Sequence, residues 1–134
     1  MTGIPRVSNA PSPAVPVPEV PRLRGRIHQG AFVASLAGVT WLVVLADGLR
    51  EVVAAWVYGL AMVLLYLVSS TYHVFARGPR VRPVMRRLDH AMIFVFIAGT
   101  YTPFALLSFE GWLPVVVLTC VWSGAALGLV VNVA

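Results

Sequence analysis

Apolar residues in this chain fall into four long blocks separated by short polar stretches. The first runs from about Ala31 to Ala46 and borrows flanking residues from Ile27 to Leu49. The others cover Val52–Phe75, Ala91–Leu107 and Leu113–Ala134. A membrane-spanning helix needs about 20 predominantly apolar residues. The second and fourth blocks meet that length unaided, and the first and third need their flanks. None alternates with a period of two, and lipid leaves no solvent for unpaired backbone groups, so the pattern predicts helices rather than a barrel. The expected elements are four transmembrane helices near 29–47, 52–75, 90–108 and 112–134.

Composition agrees. Of 134 residues, 59% are hydrophobic and 11% charged, and mean hydropathy is +0.85. A soluble domain carries about 25% charged residues, so this chain cannot clothe a globule in polar surface. The expected class is all-α: a polytopic helix bundle in the cell membrane. Residues 1–21 break the pattern with Pro5, Pro11, Pro13, Pro16, Pro18 and Pro21. That density blocks helix and sheet, and large apolar residues are few, so the segment reads as a disordered, proline-rich tail. It lacks the unbroken apolar stretch of a signal peptide. The fourth block reaches Ala134 with no polar or basic anchor after it. The expectation is that the sequence is the front part of a longer membrane protein.

Charge orients the chain. The net charge is +5, carried by arginine without lysine. Arg6, Arg22, Arg24 and Arg26 face only Glu19 before the first block. Arg77, Arg80, Arg82, Arg86 and Arg87 face only Asp89 between the second and third. The other two connections are acidic on balance, with Asp47, Arg50 and Glu51 in one and Glu110 in the other. Positively charged short loops stay cytoplasmic. The N-terminus and residues 76–89 are therefore expected inside and the acidic connections outside. The arginines form no face interleaved with aromatics, so membrane lipids and not nucleic acid are the expected partners. Cys120 has no second cysteine to pair with and reads as a packing residue.

Ionisable groups beside apolar blocks mark candidate chemistry, because a charge at a membrane helix centre costs about 2.5–3.5 kcal/mol. Ser69 and His73 are one helical turn apart, with Tyr66 on the same stripe. Two readings stand. An interfacial histidine accompanied by a serine bonded to its own backbone is one. An imidazole, hydroxyl and phenol gathered for metal binding or proton transfer is the other. Asp89 also fits two roles. It can cap the third helix at its N-terminus, or it can point inward at the depth of His73 and hold or deprotonate a metal-bound water. His28 reads as interfacial, and His90 as facing a neighbouring helix or the interface. Pro103, in Gly99-Thr100-Tyr101-Thr102-Pro103, removes a backbone donor where neighbouring hydroxyls can cover freed carbonyls.

Three stretches carry a resemblance. They are Ser69-Ser70-Thr71-Tyr72-His73, Arg87-Leu88-Asp89-His90-Ala91-Met92-Ile93-Phe94 and Ile97-Ala98-Gly99-Thr100-Tyr101-Thr102-Pro103-Phe104. Together with Pro21-Arg22-Leu23-Arg24-Gly25-Arg26-Ile27-His28, they resemble the haemolysin III family, the bacterial branch of the progestin and adiponectin receptor superfamily. The resemblance covers residues 21–134. It implies a seven-helix bundle with a cytoplasmic N-terminus, of which four helices are present here, and a zinc ion near the cytoplasmic face. Its ligand set implies His73 as a zinc ligand, Asp89 acting through water and Ser69 beside them. Two further histidines of an H-x-x-x-H motif have no counterpart, since no histidine follows His90. The implied function is a zinc-dependent hydrolase of lipid amides or esters, with Asp89 handling the proton, or a receptor with that site. The alternatives are membrane lysis by pore formation, without catalysis, and an inactive truncated product.

Overall fold

The structure, a computed structural model, describes residues 22–133, and the expected proline-rich tail lies outside the described residues. Four helices follow one another: α1 (Arg22–Leu45), α2 (Leu49–Phe75), α3 (Val81–Ser108) and α4 (Leu113–Val133). No strand occurs among the described residues. Each helix contains a stretch long and apolar enough to cross a membrane, as the four blocks predicted.

The helices run up and down, and each packs only on its neighbours in the chain: α1 on α2, α2 on α3, α3 on α4. The described helices therefore form a row, not a closed bundle. Short connections enforce this order. Between α2 and α3 the turn passes through Gly78 at φ 102, a left-handed conformation that suits glycine. Arg87 Nη1 donates to the Val133 carbonyl at 3.4 Å, which places the start of α3 and the end of α4 at the same level.

Small residues form the core. Ala54, Ala61, Ala91, Ala98, Ala105 and Ala125 are buried, and no large side chain is fully buried among the described residues. Without a hydrophobic drive between helices in lipid, close backbone approach supplies the packing. Gly59 receives Val39 of α1, and Gly99 receives Ala61 of α2; a Cβ on either glycine would overlap its neighbour. Polar links are internally satisfied. Thr102 Oγ1 donates to the Ala98 carbonyl at 2.9 Å and accepts from Trp122 Nε1 at 3.2 Å, tying α4 to α3. Outward faces are apolar, with Trp41, Val115, Leu127 and Val131 exposed. Cys120 is exposed too, contrary to its expected packing role. The reason is that α4 has one helical neighbour and turns most of its circumference outward.

Element ends differ from the sequence pattern at α1, which begins at Arg22 and not near residue 29, and most at α3, which begins at Val81 and not near residue 90. Pro83 is tolerated there because the first helical turn has no internal acceptor for its missing N–H. Asp89 is thus two turns inside the helix, and the N-cap position belongs to Arg80. From Asp89 to Ser108 the helix rises about 30 Å, the thickness of a hydrocarbon core. Set across a core of that thickness, the stretch would leave the arginine-bearing turns Val81–Leu88 at the level of lipid headgroups and Asp89 at the boundary. Thr100 and Thr102 bond to the carbonyls of Ile97 and Ala98. Neither covers the Gly99 carbonyl, which is the one opposite the missing N–H of Pro103.

Candidate functional site

A cavity of about 400 Å³ opens at the arginine-rich end of α1, α2 and α3. Its polar lining is His28, Tyr66, Ser69, His73 and Asp89, among the apolar Ile27, Leu65 and Ile93. Helical period explains the α2 contribution: Tyr66, Ser69 and His73 recur at intervals of three and four and share a face. The extra turns at the start of α3 bring Asp89 to the same depth. The three residues singled out from the sequence, Ser69, His73 and Asp89, therefore line one space.

One polar contact in the site joins residues that the spacing did not pair. Ser69 Oγ lies 2.7 Å from His28 Nδ1. Of the two serines, it is Ser70 that bonds back to a carbonyl, that of Leu67, at 3.0 Å. The His28 ring also stands edge-on to the His73 ring, with centroids 5.6 Å apart, and 6.1 Å from the Tyr66 ring. The Tyr72 ring lies 4.8 Å from the His73 ring. Sequence reading placed His28 at the interface, because its partner lies on another helix. The available signal was depth: His28 opens the first block, at the membrane level where His73 closes the second. His90 is exposed, and its Nδ1 donates to the Arg86 carbonyl at 2.7 Å, outside the cavity.

The donor chemistry suits a borderline metal such as zinc, but the count does not. A closed zinc site takes four ligands, a catalytic one three plus water. Among the described residues no group of three or more His, Cys, Asp or Glu is placed to hold a metal ion. The described residues therefore do not gather the donor set of a closed zinc centre.

Four apolar helices with a polar cavity at one end define a multi-pass membrane protein. The family described as Haemolysin-III related matches residues 19–134, and the chain belongs to that family. It is 42% identical to Hemolysin-3 of Bacillus cereus over 61% of this chain and 37% of that protein. It is 32% identical to the Hemolysin-3 homolog of Bacillus subtilis over 79% of this chain and 51% of that protein. It is also 29% identical to the human Monocyte to macrophage differentiation factor over 77% of this chain and 45% of that protein. The chain thus spans about half or less of the curated relatives it matches. No solved structure matches it.

Proposed function

We propose that the cavity is one wall of a zinc site on the cytoplasmic side of the membrane, completed by donors that this chain does not supply. His73 would be the direct ligand, and Asp89 would act through a water. The observation that supports this is the convergence of His28, Ser69, His73 and Asp89, from three helices, on one cavity at the membrane boundary. Buried polar groups are costly in a membrane and are kept for a use. The reaction class we attach to the complete site is hydrolysis of a lipid amide or ester, which fits a mostly apolar cavity with polar groups at one side.

Ser69 and His28 act as a supporting pair in this reading. A hydrogen bond at one ring nitrogen fixes the tautomer and orientation of an imidazole. The test is metal affinity of the purified chain, measured by competition with a chromophoric chelator. With one direct donor the chain should bind zinc weakly, well below one equivalent after dialysis, and His73→Ala should weaken that further by tenfold or more, on the order of one lost ligand. Equal affinity in the two proteins would remove His73 from the site.

The name Hemolysin-3 of the Bacillus cereus relative carries a second reading, membrane lysis. Between Glu51 and Ser69, α2 has no charged side chain, and the polar groups of the cavity gather at one end. That arrangement supports a site at the membrane surface more than a polar lane across it.

A further inference from the structure

We infer that the arginine-rich end of the chain carries a binding site for a phosphate group, next to the histidine cavity, with which it shares His73. A second cavity, of about 620 Å³, is lined by Arg26 of α1, Arg77 of the α2–α3 connection and Arg82 of α3, together with Gln29, Tyr72 and His73. Its size lies in the range of ligand pockets, about 300–1,000 Å³. Three arginines from three separate segments thus line one space, and among the described residues no carboxylate lines it.

Charge distribution sharpens the point. The acids Asp47, Glu51 and Glu110 lie in or beside the connections at the opposite end of the row. Among the described residues Asp89 is the acid at this end, and it lines the histidine cavity instead. Like charges gathered around a space repel one another until an anion enters. A phosphate accepts paired hydrogen bonds from guanidinium groups, and Gln29 and the Tyr72 hydroxyl add neutral donors. Arg82 also lines a third cavity, of about 430 Å³, with Arg86 and Tyr72, so the basic surface continues along α3. The register of α3 puts Arg82 at headgroup level, where basic pockets between helices hold anionic lipid. The ligand class is a phosphate monoester or diester, supplied by a lipid headgroup or by a free phosphate. His73 lines both cavities, so a lipid held by its phosphate here would present its glycerol and acyl groups toward the histidine cavity. This site does not depend on the zinc reading.

The experiment uses the whole chain in a neutral detergent with a metal chelator present. Short-chain phosphatidylglycerol, phosphatidylcholine and inorganic phosphate are titrated by calorimetry, with circular dichroism as the check on helix content. Phosphatidylglycerol should bind more tightly than phosphatidylcholine. Each of the three arginines should be worth about fivefold. Arg26→Gln alone should therefore weaken binding about fivefold, and the pair Arg77→Gln with Arg82→Gln about 25-fold. Arg50→Gln, at the far end, should leave it unchanged. Displacement of the lipid by inorganic phosphate would assign the site to free phosphate, and failure to displace it would assign the site to a headgroup. Binding that ignores both sets of substitutions, or that falls as much with Arg50→Gln, would overturn the proposal. Because Arg26 sits on a different helix from the pair, misfolding of one variant leaves the other to decide.

Discussion

Ser69 Oγ and His28 Nδ1 lie 2.7 Å apart across the α1–α2 interface, although 41 residues separate them. The contact converts two polar side chains at a membrane boundary into one satisfied unit. It also fixes which face of the His28 ring the cavity sees. Hydrogen bonds between membrane helices contribute about 0.6 kcal/mol on average and up to about 1.7 kcal/mol. In a double-mutant cycle, Ser69→Ala and His28→Ala should therefore couple by about 0.5–1.5 kcal/mol in thermal unfolding in detergent. Additive effects would mean that the two side chains do not share a bond in the folded chain.

Block length and loop charge carried the architecture into view, because a helix in lipid announces itself through composition alone. Helix ends were less visible. Val81–Leu88 is rich in arginine and contains Pro83, so it reads as a loop. It is helical because proline is harmless in a first turn and arginines suit the headgroup layer. Ser69 and His73 were legible as neighbours because helical spacing puts them on one face. Asp89 was open between a helix cap and an inward role, and the start of α3 at Val81 decides against the cap. The role of His28 was not legible, since its partner is on another helix and only tertiary packing sets their distance. Cys120 shows the complementary limit: an apolar block does not reveal which of its faces a neighbouring helix covers.

Close packing at glycine should govern stability. A Cβ at Gly99 would overlap Ala61, and one at Gly59 would overlap Val39, whereas Gly38 and Gly124 have open space around them. Gly99→Leu and Gly59→Leu should each destabilise the chain by about 1–3 kcal/mol through overpacking. Gly124→Leu should change little. Thermal unfolding followed by circular dichroism checks the ranking, and equal effects at Gly99 and Gly124 would contradict the packing described.

Asp89 and His73 should respond differently to substitution. A carboxylate acting through water supports a metal from the outer layer, where loss usually costs about 10–100-fold in affinity. Loss of a direct ligand costs more. In the zinc reading proposed above, chelator competition should therefore rank His73→Ala as more damaging than Asp89→Asn. The reverse order would make Asp89 a direct ligand.

Orientation rests on the arginines and is testable at a single residue. Arg77, Arg80, Arg82, Arg86 and Arg87 lie between the apolar cores of α2 and α3, while the other two connections are acidic on balance. Because positively charged short loops are retained in the cytoplasm, the end of the row holding both cavities should face inward. Gly78 is exposed at the tip of that connection and nothing lies within 4 Å of its Cβ position. Its φ of 102 strains any other residue, so the neighbouring exposed Arg80 is the better place for a probe. In a chain with Cys120→Ala, cysteine substituted at Arg80 should react with a membrane-impermeant maleimide only after the cells are opened. Cysteine substituted at Glu110, in the connection between α3 and α4, should react in intact cells. The two sites lie at opposite ends of α3, so one must be protected while the other is labelled. Labelling of the Arg80 site in intact cells would invert the topology and place the histidine cavity outside.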